Sequence, residues 1–152
     1  MSGESKRLKL VDAEAEQYRL QDQVGFILRK AHQRHVAIFA ARIGDLTPPQ
    51  FAALAMLAEV GETSQNQLGQ LVAMDAATAK GVVDRLASRG YVTVNKDSSD
   101  KRRLLVALTP EGRGAYEKLV PLAASITRTT LAPLNERDAA ALVRLLAKIA
   151  EG

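Results

Sequence analysis

The chain has 152 residues, 47% of them apolar and 4% aromatic, and 21 basic against 17 acidic side chains leave it a net charge of +4. That length and apolar fraction fit one domain with an ordinary core and exclude disordered and fibrous classes, while the scarcity of aromatics favours packed helices over a β-sandwich. The absence of cysteine removes disulfides, thiol redox sensing and cysteine-based metal sites. A surplus of +4 does not by itself imply a nucleic-acid partner, so the placement of the charge matters more than its sum. No apolar run approaches the roughly 20 residues that span a membrane, and the first residues lack an apolar signal core. The expected compartment is the cytoplasm.

Residues 1–16 are polar and mixed in charge and read as a partly ordered tail, with Lys6, Arg7 and Lys9 either solvated or touching DNA or a partner. A long helix is expected from Gln17 to Ile43. Val24, Leu28, Ala31, His35 and Ile38 recur there at spacings of four and three, and Ile27 and Phe39 widen the stripe. A helix this long in so small a domain suits packing against a second copy of itself. Thr47 caps the next helix, with Pro48 and Pro49 in its first turn and Gly61 at its end. Ser64 caps a short helix to about Val72, with Leu68, Leu71 and Val72 pointing inward. A tight Ala73-Met74 connection leads to Asp75, which caps a helix over Ala76 to Arg89. Ala79, Val82, Val83 and Leu86 form its inward face, and Gly90 ends it.

Tyr91 to Val94 has strand composition, Asn95 to Arg102 is a charged turn-rich loop, and Leu104 to Leu108 is a second strand. Thr109 caps a helix from Pro110 to about Thr130, with a kink expected at Pro121. Asn135 caps the last helix, Glu136 to Ala150, whose stripe is Ala139, Leu142, Val143, Leu146 and Ile149. The fold class is therefore mostly α with a small β-hairpin wing, a winged helix-turn-helix over residues 47–109. Residues 17–46 and 110–152 supply the flanking helices, which pair two such modules.

The helix over 76–89 carries Ala76, Ala77, Thr78, Lys80, Gly81 and Asp84 outward. Small residues at a helix start allow close approach to base edges and phosphates, and the helix dipole there favours anions. Thr78 suits a base or phosphate contact and Lys80 a phosphate or guanine. The bland alternative is an ordinary solvated face; the basic wing next to it favours DNA. Ser64, Gln65, Asn66 and Gln67 suit phosphate anchoring as well as plain capping. In the wing, Lys96, Lys101, Arg102 and Arg103 outnumber Asp97 and Asp100, and such a tip can place an arginine in the minor groove, with an aspartate orienting it. A solubilising loop is the alternative.

Asp100-Lys101-Arg102 followed by Val106-Ala107-Leu108-Thr109 fits D-x-R-x-x-x-V-x-L-T, the wing signature of the MarR (multiple-antibiotic-resistance regulator) family. Val82 to Leu86 with Arg89 to Val92, and Leu46 to Phe51, resemble that family's recognition-helix end and second-helix start. The resemblance covers residues 20–150. It implies a homodimer built from the first and last helices and bound to a pseudo-palindromic operator, with recognition helices in major grooves about 34 Å apart. It further implies that Arg102 is the minor-groove arginine, that Asp100 positions it, and that Ala76, Ala77, Thr78 and Lys80 take the base-reading positions. Two departures stand out: Ala77 where serine is common and Gly81 where arginine is common.

Ligands of this family bind between the dimer helices and the DNA-binding lobe. The stretch Gln23 to His35 resembles regulators of aromatic-acid breakdown, which implies an aromatic carboxylate or an aryl coenzyme A thioester as effector. Arg29, His32, His35, Phe39 and Arg42 are the candidate contacts, the alternative being interface hydrogen bonds and salt bridges. His32 and His35 share roughly one helix face, yet two histidines without cysteine make a poor metal site, and neither metal nor cofactor is expected. The chain lacks G-x-S-x-G, P-loop and H-E-x-x-H motifs, and Gly112-Arg113-Gly114 lacks the strand-turn context of a dinucleotide loop. An enzyme is thus disfavoured, leaving a ligand-responsive repressor or an effector-independent DNA-binding protein.

Overall fold

Five helices of this chain begin where a short polar side chain accepts a backbone N–H. Thr47, Ser64, Asp75, Thr109 and Asn135 each do so for the residue three positions on, meeting one of the free amides that open a helix. Thr47 completes a reciprocal box, because the Gln50 side chain accepts from the Thr47 amide at 3.1 Å. The computed structural model describes residues 3–7, 15 and 17–152. Its elements are α1 (Val24–Arg42), α2 (Pro48–Val60), β1 (Thr63–Ser64), α3 (Gln65–Leu71), α4 (Ala76–Ser88), β2 (Val92–Lys96), β3 (Leu104–Leu108), α5 (Pro110–Leu131) and α6 (Glu136–Glu151).

The chain divides into two units, residues 1–35 and 36–152. In the first, residues 3–7 are helical, and most of the tail expected over 1–16 lies outside the described residues. The first long helix starts at Val24 and not at Gln17, because a 3-10 turn over Leu20–Asp22 leads into an extended Gln23. The Gln23 carbonyl accepts from the Ile27 amide at 3.0 Å, so the α-helical ladder starts there. Val24, Ile27 and Leu28, at this end of the expected stripe, are exposed.

In the second unit the core is one cluster. Phe39 of α1 and Ile43 and Leu46 of the following loop meet Leu54 and Leu57 of α2, Leu68 of α3, Val83 and Leu86 of α4, Val106 of β3 and Ile126 of α5. Full burial of side chains of this size contributes about 1.5–3 kcal/mol each, and α2, packed against α3, α4, α5 and β3, sits at the centre. Phe51 of α2 bridges Phe39 and Tyr116 with ring centroids 6.2 and 6.4 Å apart. The inward residues expected on α4 are all buried.

Leu71, expected inward, is exposed. The face of α3 that turns to the core is centred on Leu68 and Gly69, and a Cβ on Gly69 would already crowd Ala79. The connection to α4 turns at Ala73, whose φ is 57°.

The sheet has the antiparallel order β1-β3-β2. The short β1 was not expected: Thr63 and Ser64 pair with Val106 and Leu105. Lys96, placed in the loop by composition, is the last residue of β2 and pairs with Leu104. Tyr91 stands before the strand instead of inside it. Its amide closes the end of α4 on the Leu86 carbonyl and its own carbonyl accepts from Thr109. Gly112, in the first turn of α5, lies against that carbonyl, and any Cβ there would run into the Tyr91 backbone. α5 continues through Pro121. On α6, Leu142, Val143, Leu145, Leu146 and Ile149 are all exposed.

Candidate nucleic-acid interface and ligand cleft

α4 is amphipathic with a sharp division. Its buried side holds it on α2 and α3, and Ala76, Ala77, Thr78, Lys80, Gly81 and Asp84 all face outward. Ala77, Lys80, Gly81 and Asp84 are spaced at three and four and lie on one face. The Asp75 carboxylate fixes the helix start by accepting from the Thr78 amide at 2.7 Å, and this bond, with one from the Thr78 hydroxyl, holds the carboxyl below its usual range. Lys80 Nζ donates to Asp84 at 2.8 Å, which raises the pKa of the ammonium and keeps it charged.

The start of α3 and the wing face one another across a cleft of about 450 Å³ lined by Ser64, Asn66, Gln67, Gln70, Asp100, Arg102 and Arg103. Gln65 lines a smaller neighbouring hollow with Ser64, Asn66, Arg102 and Arg103. Of this group Ser64 is buried, its Oγ accepting from the Gln67 amide at 3.1 Å; its role is structural. Asn66 and Gln67 are exposed. Gln70 escaped the sequence reading, although its helical spacing from Asn66 and Gln67 puts it on their face.

The wing tip is an ordered turn. Asp97 Oδ1 accepts from the Ser99 amide at 2.9 Å and the Ser99 hydroxyl at 2.8 Å, and its other oxygen lies 3.9 Å from Arg103. The Ser99 bonds, then the Arg103 charge, hold the Asp97 carboxyl below its usual range. Asp100 accepts from the Arg102 amide at 3.1 Å and lies 3.6 Å from Arg102 Nε. An aspartate does accompany the wing arginine, and the Arg102 side chain is 94% exposed. Lys96 and Lys101 are exposed beside it.

The candidate effector contacts fall in both units. Arg29, His32 and His35 belong to the first, with Arg29 and His32 exposed and His35 half-buried. Phe39 and Arg42 belong to the second, where Phe39 is buried and Arg42 donates to Ser125 Oγ at 2.7 Å. Phe39 also lines a cleft of about 620 Å³ that the sequence did not reveal, together with Ile43, Leu46, Pro48, Arg85 and Arg89. Arg89 joins the end of α4 to the loop after α1, because its Nη1 donates to the Asp45 carbonyl at 2.6 Å. Arg85 and Arg89 are one helical turn apart, a legible spacing; the link to Asp45 is tertiary and left no local mark. Among the described residues no cluster of three or more acidic or histidine side chains is placed to hold a metal, and no helix is long and apolar enough to cross a membrane.

A helix presenting small and basic residues beside a basic hairpin, with polar amides across the gap, defines a winged helix-turn-helix DNA-binding regulator. Residues 46–104 match the MarR family model, and the chain belongs to that family. It is 38% identical over 134 residues to the HTH-type transcriptional repressor NicR of Pseudomonas putida, covering 87% of this chain and 85% of NicR. A probable transcriptional regulator from Pseudomonas aeruginosa is 53% identical with a TM-score of 0.83, covering 86% of this chain and 99% of that one. BpsR of Bordetella bronchiseptica, whose DNA binding is regulated by 6-hydroxynicotinic acid, is 42% identical with a TM-score of 0.85, covering 89% of this chain and 98% of its own. These relatives are transcription regulators, and this chain is a DNA-binding transcription regulator and not an enzyme.

Proposed function

We propose that the chain is a cytoplasmic repressor that binds a pseudo-palindromic operator as a homodimer and is released by a small aromatic acid or its coenzyme A thioester. The observation that carries the reading is the exposed outer face of α4 together with the cleft in which Arg102 faces Asn66, Gln67 and Gln70. Ala76, Ala77 and Thr78 approach base edges in the major groove and Lys80 takes a guanine or phosphate. Asn66, Gln67, Gln65, Lys96, Lys101 and Arg103 hold phosphates, and Ser64 supports them through its cap. Arg102 enters the minor groove, oriented by Asp100.

Pairing is supported by the exposed apolar stripe of α6 and by Val24, Ile27 and Leu28 of α1, since contiguous apolar patches on a soluble chain mark an interface. The effector class is supported by the likeness to BpsR, and Arg29, His32, His35, Phe39 and Arg42 are the candidate contacts. Fluorescence anisotropy on DNA from the gene's own upstream region tests this, repeated with aromatic acids and their thioesters. Tight, salt-sensitive binding undone by a panel member is the expected result. Tight binding that nothing undoes would favour an effector-independent regulator, and no binding would remove the reading altogether.

A further inference from the structure

A face that meets DNA meets a polyanion, yet the middle of the outer face of α4 carries a carboxylate. Ala79, Val82, Val83 and Leu86 are the buried residues of this helix. At about 100° per residue, Ala77, Gly81 and Asp84 project from the opposite side. Asp84 is the only acidic residue of α4. Ala77 and Gly81 beside it are too small to hold a partner off, so whatever meets this face meets the carboxylate. Helix stability does not account for its presence. Lys80 precedes Asp84, the weaker order for an ion pair four residues apart. The two side chains are 67% and 60% exposed, and pairs so exposed contribute little. Phosphates repel a carboxylate, so its place on this face calls for a partner that only a base edge supplies.

We infer that Lys80 and Asp84 act as one unit that reads a G·C base pair in each half-site, Lys80 donating to guanine and Asp84 accepting from the cytosine N4 amino group, so that Asp84 is a specificity-determining residue. The inference rests on the operator-binding reading and narrows the role of Lys80 from guanine or phosphate to guanine. The ion pair sets a donor and an acceptor 2.8 Å apart. The major-groove edge of G·C offers the complementary acceptor and donor side by side. A T·A pair offers the same order, but thymine supplies O4 alone with a methyl beside it, whereas guanine supplies both O6 and N7. Facing a base-edge acceptor or a phosphate, the carboxylate is unpaired and repelled, and it withholds Lys80 from the DNA backbone. Wrong sites are thereby rejected as well as the right one accepted.

The test is selection by the full chain from a duplex library randomised over two helical turns, followed by anisotropy on a selected duplex and on random-sequence duplex. Wild type should enrich a G·C pair at symmetric positions of the two half-sites, and T·A placed there should weaken binding about tenfold. Asp84→Asn should flatten that preference to about twofold or less. It should also bind random-sequence duplex about threefold more tightly and steepen the salt slope by about one, because Lys80 is then free to take a phosphate. Lys80→Gln should flatten the same preference without that tightening. Because Asp84→Asn strengthens non-specific binding, loss of fold cannot imitate the pattern. If Asp84→Asn keeps every wild-type base preference, or weakens all duplexes alike, the inference is overturned while the operator reading stands. Enrichment of T·A at the position that Asp84→Asn affects overturns it as well. If wild type enriches no sequence, the operator reading fails and this inference with it.

Discussion

Gly81 lies in the middle of α4, exposed, on the face that carries Ala77, Lys80 and Asp84. Its φ is not positive, and a Cβ built on it meets nothing within 4 Å. Neither backbone geometry nor packing within the chain requires glycine there. Glycine inside a helix costs about 0.5–1 kcal/mol relative to alanine, so Gly81→Ala should stabilise the free protein by that amount. For a chain of this size, 1 kcal/mol moves Tm by about 2–4 °C. The missing side chain gains a reason only when DNA approaches: an added methyl would hold the helix off the base edges. Operator affinity should therefore fall by about tenfold, or roughly 1.4 kcal/mol, while the protein becomes more heat-resistant. Differential scanning calorimetry and operator anisotropy on the same preparation measure both. A higher Tm with unchanged operator affinity would remove this face from the DNA; a lower Tm would refute the helix argument itself.

Other outcomes follow from the same geometry. Arg102→Ala should cost about 1–3 kcal/mol of operator binding and reduce the salt slope by about one; an unchanged titration places the wing outside the interface. Thr109 Oγ1 accepts from the Gly112 amide at 3.0 Å and donates to the Gly90 carbonyl at 2.6 Å, so Thr109→Ala should lower unfolding free energy by about 1 kcal/mol or somewhat more in urea titration. Gly112→Ala should yield little folded protein by circular dichroism, because the obstacle is the Tyr91 backbone and not a movable side chain. The lowered carboxyl pKa of Asp97 stabilises the fold above the ordinary carboxylate value of 3.8 and ceases to do so as pH falls through the lower folded value. Asp97→Asn should thus lower Tm at neutral pH, and the gap from wild type should narrow below about pH 4.

What could be read in the sequence was local. Thr47, Ser64, Asp75, Thr109 and Asn135 announce their helices because a cap and its amide are three residues apart, and the buried positions of α4 follow from helical spacing alone. The wing signature placed Arg102 and Asp100 in one turn because they are two residues apart. The missed features join distant segments. β1 exists because Thr63 meets Val106, and nothing in Thr63 or Ser64 themselves marks a strand. The stripe of α1 predicted an apolar face without saying what it meets. The hydrogen bond from Arg42 to Ser125 spans 83 positions and has no local mark, and the Arg85–Arg89 cleft forms only when α4 reaches the loop at Asp45.

The central claim, a dimer placing two α4 helices on one face of an operator, is tested most directly by hydroxyl-radical footprinting of the upstream DNA. The account predicts symmetric protected patches centred about 34 Å apart, one turn of the duplex, with outer minor-groove protections that disappear in Arg102→Ala. A single unpaired patch, or uniform weak protection that Arg102→Ala leaves unaltered, would contradict it.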